Sequence, residues 1–292
     1  MAAPDGAGPA ECVVNISEGR DLTVIGTVAA SAGDHLLDVH SDADHHRSVL
    51  TLAGPLAAVE EAARHVAVAA TSTIDLSAHH GVHPRLGAVD VVPFVPLADS
   101  DGRITSWDAV VAARDAYAAW SGATLGVPCF LYGPERALPD VRRGAFTSLT
   151  PDAGPTAPHP TAGATAVGVR DVLIAYNVWI VPEPGADEID AVAAARQLAG
   201  RLRRPGLRTL GLGVSAAAQV SCNVVDPGAV TLVDVFDSVA AGAAALRCVA
   251  SQGELVGLLP RSALSAVPEA RWAELGLRAE DTIEYRLGTR RG

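Results

Sequence analysis

The chain alternates short apolar runs with longer stretches of helical spacing. Cys12-Val-Val-Asn-Ile16 predicts a short buried strand, and Glu18 to Ala32 places apolar residues at mixed helical intervals. Leu36-Leu-Asp-Val39 and Ser48-Val-Leu-Thr-Leu52 predict two more strands, joined by a polar loop rich in Asp and His. Pro55 then opens a helix over Leu56 to Ala70, because proline fits a helix's first turn and Ala, Val, Glu and Arg follow without a breaker. Ala88-Val-Asp-Val-Val-Pro-Phe-Val95 returns as a strand, and its internal Pro93 points to a sheet edge or a strand end. The order is β-α-β-β-α-β.

The second half repeats it. Val172 to Ile180 is a strand, Asp187 to Arg204 a helix stopped by Pro205-Gly206, and Leu207 to Leu212 and Gln219 to Val225 are paired strands. Val233 to Val249 is an alanine-rich helix, and Leu255-Val-Gly-Leu258 closes the unit. Between the halves lie a helix from Trp107 to Trp120 capped by Ser106, a strand Pro128-Cys-Phe-Leu-Tyr132, and a Pro, Thr and Gly-rich loop from Thr150 to Gly163. A repeated order of this kind predicts an α+β protein of two tandem ferredoxin-like (βαββαβ) subdomains. Residues 11–178 form the first and 179–292 the second.

Composition narrows the function. The 292 residues carry 33 acidic and 22 basic side chains, a net charge of −11. No general phosphate-backbone binder is expected, since such proteins need a basic face, so nucleic acid is excluded as a partner. No apolar run is free of charge, Pro and Gly for long enough to span a bilayer, and the N-terminus lacks the basic and apolar regions of an export signal, so a cytoplasmic protein is expected. Cys12, Cys129, Cys222 and Cys248 are scattered in apolar stretches without metal or redox spacing and read as small core residues.

Histidine is distributed unevenly: all nine lie at or before His159. Seven of them, His35, His40, His45, His46, His79, His80 and His83, fall in or beside two short loops. His83, held between Gly81 and Pro84 and close to Arg85, suits general acid-base work because an imidazole titrates near neutrality. Asp38, His40, Asp42, Asp44, His45, His79 and His83 include the ligand types of zinc, but no His-x-x-x-His pair stands on a helix and no cysteine joins them, so no metal is expected. Gln219, Ser221 and Asn223 alternate along one strand and therefore face one side.

Several segments resemble glutamate formiminotransferase, the transferase part of formimidoyltransferase-cyclodeaminase that also occurs free-standing. They are Glu11-Cys-Val-Val-Asn-Ile-Ser-Glu-Gly-Arg20, Leu37-Asp-Val-His-Ser-Asp-Ala-Asp-His-His-Arg-Ser48, His80 to Pro96 and His159 to Arg170. Phe130 to Gly133, Val172 to Asn177, Gln219 to Asn223 and Gly253 to Pro260 add to the likeness, which runs from Glu11 to the C-terminus. The resemblance implies a homodimer with a ligand groove between two subdomains. It implies transfer of a formimidoyl group from N-formimidoyl-L-glutamate to N5 of tetrahydrofolate, a step of histidine breakdown, with tetrahydrofolate as co-substrate. The family's catalytic histidine matches His83, and its folate-contacting segment corresponds to Gly168, Val169, Arg170, Asp171, Val172, Leu173, Ile174, Ala175, Tyr176 and Asn177.

The chemistry asks for three further functions. A carboxylate, Asp38 or Asp90, suits an amidinium group. Arginines at 47, 85 and 170 suit the glutamate carboxylates of both substrates, because a guanidinium fork binds a carboxylate through two hydrogen bonds. The expected catalytic set is His83, Asp38 and Arg85, and the expected substrate-binding set is His40, Arg47 and Asp90. Glycines at 163 and 168 serve either tight backbone packing or close approach of a flat pterin. Transfer with a different one-carbon donor or acceptor, and folate binding without turnover, stay open as alternatives.

Overall fold

The computed structural model describes residues 8–80, 85–186, 188–214 and 217–289, in two compact units that divide between Asp171 and Val172. The expected boundary at 178/179 would cut through a strand that pairs wholly within the second unit.

In the first unit, β1 (Pro9–Ile16), α1 (Leu22–Ala30), β2 (Leu36–Asp42), β3 (Arg47–Pro55), α2 (Leu56–Thr73) and β4 (Val89–Pro96) follow one another as the pattern predicts. Asp21 caps α1 by accepting from the amides of Thr23 and Val24. On α2, Leu56, Val59, Ala63, Val66, Ala67 and Ala70 repeat every three or four residues and pack with Cys12, Val14, Ile16, Leu50 and Leu52 of β1 and β3. Then come α3 (Trp107–Trp120), β5 (Cys129–Tyr132), α4 (Leu138–Gly144) and β6 (Thr165–Val169). Ser106 caps α3, accepting from Ala109 N at 3.2 Å. The six strands lie in the order β2-β3-β1-β4-β6-β5; each of the first four is antiparallel to its neighbour, and β6 runs parallel to both β4 and β5.

Pro93 therefore stands in an interior strand, not at an edge. The β1–β4 ladder accommodates it: Cys12 pairs with Phe94 and Asn15 with Val91, and the positions between them are left out of register pairing. Helices α1, α2 and α3 share one core on one face of this sheet. On the other face α4 covers β4, β5 and β6 through a small cluster of Val141 with Val91, Phe130, Tyr132 and Ala166.

The second unit is simpler. It comprises β7 (Ile174–Pro182), α5 (Ala191–Leu202), β8 (Leu207–Val214), β9 (Ala217–Val224), α6 (Leu232–Ala244) and β10 (Cys248–Val256), followed by α7 (Arg261–Ser265) and α8 (Ile283–Thr289). The sheet order is β10-β7-β9-β8, antiparallel throughout. Asp190 caps α5, and Thr231 with Asp234 forms a reciprocal capping box at α6. Helix α6 is shorter than expected. The chain turns at Arg247, whose φ of 56° lies in the left-handed region, and Cys248 already begins β10.

Both units thus place their first four strands in the spatial order 2-3-1-4, with the main helical core on one face. All four cysteines are buried, Cys12 and Cys129 in the first core and Cys222 and Cys248 in the second. Burial pushes their thiols up, to about 12 for Cys129 and Cys222.

Candidate functional site

The hairpin between β2 and β3 is built around Asp42. Its Oδ1 accepts from the amides of Asp44 (2.9 Å) and His45 (2.8 Å), and its Oδ2 lies 3.2 Å from His45 Nδ1. His46 then adopts a φ of 52°. The loop after β1 runs directly against this turn because position 19 is glycine: a Cβ there would stand 2.2 Å from the carbonyl oxygen of Asp42 and 2.6 Å from the amide of Arg47. Gly19 N donates to His46 Nδ1 at 3.2 Å, while Glu18 Oε1 gathers the amides of Gly19, Arg20 and Asp21 at 2.7–3.0 Å.

The second histidine loop meets the first. The imidazole of His79 lies over that of His46, ring centroids 3.9 Å apart, and its Nε2 is 3.2 Å from the His46 carbonyl oxygen. Arg85 donates to the carbonyl oxygens of His45 (3.3 Å) and His46 (3.5 Å) and contacts Nδ1 of His79. Burial, and then the Arg85 guanidinium, hold the His79 imidazole down to about 4, and burial lowers His46 as well. Both rings are neutral at pH 7.

Following Arg85, the chain is pinned on two sides. Leu86 N donates to Asp90 Oδ1 at 2.5 Å, and Arg142 of α4 donates to Asp90 Oδ2 at 2.6 Å. Gly87 forms a bridge with Gly163, and a Cβ at Gly87 would lie 2.0 Å from the Ala164 carbonyl oxygen. The 159–163 turn is held by His159 Nδ1, which accepts from Ala162 N at 3.0 Å, so that histidine has a structural task.

The expected residues separate accordingly. Asp38 and His40 of β2 stand opposite Thr51 and Val49 of β3, and Asp42 opposite Arg47, so alternation brings Asp38, His40 and Arg47 to one face of the sheet. Arg47 is pushed down by burial, with Asp90 and Asp42 acting in the opposite sense. Asp90 is engaged by Arg142 and Leu86 and is only 5% exposed. Arg85 joins the histidine pair. His83 lies outside the described residues.

The segment from Gly168 to Asn177 crosses from one unit to the other. Gly168 and Val169 end β6, and the ring of Tyr132 fills the place of a Gly168 Cβ, at 2.2 Å, so this glycine serves packing against a tyrosine rather than approach of a pterin on that side. Arg170 N donates to Phe94 O, and its Nη1 to the carbonyl of its neighbour Asp171. Val172 and Leu173 open the second unit ahead of β7. In β7, Ile174 and Tyr176 belong to the second core, Tyr176 reaching Leu275 O at 2.9 Å, whereas Ala175 and Asn177 point to the opposite face.

Asn177 leads to a residue outside the expected set. Glu254 of β10 accepts at a single oxygen, Oε2, from Asn177 Nδ2 (3.1 Å), Trp179 Nε1 (3.0 Å) and Gln219 Nε2 (3.2 Å). The register pairs Glu254 with Asn177, Asn177 with Ser221 and Trp179 with Gln219, so all five, with Asn223, share the face away from α5 and α6. The expectation that Gln219, Ser221 and Asn223 face one side holds, and that side is the one away from α5 and α6. Among the described residues no three His, Cys, Asp or Glu side chains gather as metal ligands, and no helix is long and apolar enough to cross a membrane.

Comparison with known proteins adds an independent line. Residues 9–170 match the family model described as "Formiminotransferase domain, N-terminal subdomain". The chain is 36% identical over 285 residues to a glutamate formimidoyltransferase of Streptococcus pyogenes serotype M1, covering 89% of this chain and 91% of that one. It is 32% identical to the glutamate formimidoyltransferase of Thermoplasma acidophilum, over 87% of this chain and 89% of that one. With the formimidoyltransferase-cyclodeaminase of Sus scrofa it shares 34% identity and spans 50% of that protein's length. The family is thus one of one-carbon group transferases. This chain belongs to the formiminotransferase family.

Proposed function

We propose that this transferase moves a formimidoyl group from N-formimidoyl-L-glutamate to N5 of tetrahydrofolate, releasing glutamate, and that His83 is its acid-base residue. N5 attacks the amidinium carbon and gives a tetrahedral centre. His83 takes the proton that N5 must lose and returns it to the departing glutamate nitrogen, so one imidazole serves both halves of the transfer. Asp38 holds the amidinium charged and oriented. Arg47 and Arg85 are the fitting partners of the glutamate carboxylates, supported by Arg170 and His40.

The observation that carries this reading is the meeting of the two histidine loops. Arg85, two residues beyond His83, reaches the carbonyls of His45 and His46, so the end of the His83 loop is tied to the hairpin that leads into Arg47. The strand order 2-3-1-4 in each unit supports two tandem ferredoxin-like subdomains. In this reading the chain works as a homodimer in the cytoplasm, and tetrahydrofolate is the co-substrate.

The test is steady-state formation of 5-formimidoyl-tetrahydrofolate, followed by absorbance. His83→Ala is expected to lower kcat at least about 100-fold. Full turnover in that variant would remove the acid-base assignment, and wild-type binding of tetrahydrofolate with no donor consumed would replace transfer by a binding role.

A further inference from the structure

Tyr132, the last residue of β5, carries a side chain that the reaction scheme above leaves unused. Its Cα pairs with that of Gly168 on the parallel neighbour β6. The ring lies across that glycine, where a Cβ at position 168 would stand 2.2 Å from two ring carbons, so only glycine admits it. Contact with Val91, Phe130, Val141 and Ala166 completes the seat, and this packing fixes where the phenol points. Tyr132 is 5% exposed. Arg114 donates to its backbone carbonyl oxygen, but among the described residues nothing bonds its hydroxyl. Polar groups buried to this degree are ordinarily paired. Burial pushes the phenol up, so it keeps its proton at neutral pH and is a donor; the charge that opposes the burial most is that of Arg170.

Arg170 follows Gly168 by two positions. The ladder runs on through it, since Arg170 N donates to Phe94 O at 3.2 Å, so alternation brings its side chain to the face that holds Gly168 and the Tyr132 ring. One of its five N–H groups goes to the carbonyl oxygen of Asp171 at 2.9 Å, and among the described residues no carboxylate pairs with the guanidinium. Phenol and guanidinium thus stand at the carboxyl ends of the parallel strands β5 and β6, the end of an open sheet at which ligands bind. Both are donors and one is a cation, so the ligand group that matches them is an anionic acceptor. The inference rests on the transfer reading given above, in which the anionic groups of both substrates are glutamate carboxylates. We propose that Tyr132 is a substrate-binding residue whose hydroxyl donates to a glutamate carboxylate that Arg170 also holds, with Gly168 seating the ring so that the two meet.

The test changes the hydroxyl and the carboxylate in turn, by calorimetry on the full chain. N-formimidoyl-L-glutamate is compared with its two monoamides, and 5-formyl-tetrahydrofolate with 5-formyl-tetrahydropteroate, which lacks the glutamate. Wild type is expected to prefer a complete ligand over its carboxylate-deficient partner at least about tenfold. Tyr132→Phe keeps the ring over Gly168 and, with circular dichroism unchanged, is expected to cut one such preference at least about fivefold. A cut confined to the formimidoyl compounds assigns the carboxylate to the donor, and a cut confined to the folates assigns it to the folate tail; either supports the proposal. A Tyr132→Phe chain that weakens complete and deficient ligands alike, or that binds all of them as wild type does, overturns it, because a tyrosine confined to packing behaves in that way. Arg170→Gln is expected to cut the preference for the same pair. If it cuts that of the other substrate alone, or none, the two side chains share no carboxylate and the proposal falls. Binding is read without turnover, so the two readings fail separately. A chain that shows the Tyr132-dependent preference yet makes no 5-formimidoyl-tetrahydrofolate keeps this site and loses the transfer mechanism, whereas normal turnover without that preference removes the site alone.

Discussion

Asp90 in the first unit and Glu254 in the second each collect hydrogen-bond donors, yet the company differs. Asp90, 5% exposed, faces the guanidinium of Arg142 and one backbone amide, so its charge is matched inside the fold. Glu254 accepts at one oxygen from the side chains of Asn177, Trp179 and Gln219. A carboxylate paired with an arginine is a clamp: here it fastens α4 to β4 and fixes the chain just after Arg85. The donors on Glu254 come from β7 and β9, so this carboxylate ties neighbouring strands of one sheet together. The first joins a helix to the sheet beside the histidine loops; the second joins three strands of the other sheet.

That contrast can be broken at the clamp first. Arg142→Met leaves the Asp90 carboxylate buried without its cation and is expected to cost about 3 kcal/mol in urea unfolding, since stranding one partner of a buried pair is far costlier than replacing both. The double variant Arg142→Met with Asp90→Asn should recover most of that loss. Glu254→Gln retains the shape of the side chain and is expected to cost no more than about 1–1.5 kcal/mol of stability; a larger loss than in Arg142→Met would put the strand tie above the clamp. Trp179→Phe removes one of three donors and should cost about 1 kcal/mol, read from the same unfolding curves.

The smallest effect concerns pH. The His79 imidazole falls from an ordinary 6.5 to about 4 in the fold, so the unfolded chain binds more protons than the folded one between those values. Its contribution to stability is complete above about 6.5 and is lost as pH falls toward 4. The Tm of wild type should therefore drop between pH 7 and 5 by more than that of His79→Gln, and an equal drop in both would dissociate this ring from the acid response.

Elements with their own periodicity were legible in the sequence. Helix α3 runs from Trp107 to Trp120 behind a Ser106 cap, as the pattern predicts, and α2 follows Pro55 as expected. Strand β6 was hidden because its Thr-Ala-Val-Gly-Val is buried on both faces, leaving no alternation and too many small residues to distinguish it from the preceding loop. Helix α4 has seven residues between Ala137 and Ala145, with Pro139 in its first turn and Gly144 at its end, too short for a helical period to show. At the candidate site, the histidine-rich loops and Arg85 stood out from composition. The His46–His79 pair did not, because the residues are 33 positions apart and meet only through the hairpin's left-handed turn and Gly19. Glu254 escaped for a related reason: β10 carries an irregularity between Ala250 and Gln252 that breaks the alternation by which its outward residues would be recognised.

The distribution of thiols has a practical consequence. Each core holds two cysteines sealed from solvent and disinclined to ionise, and none belongs to the histidine loops or to the donors around Glu254. An alkylating pulse followed by peptide mapping would therefore tag Cys12 and Cys129 when the first core opens and Cys222 and Cys248 when the second does. The chain carries its own paired reporters of which half comes apart first, with no label engineered and no active group disturbed.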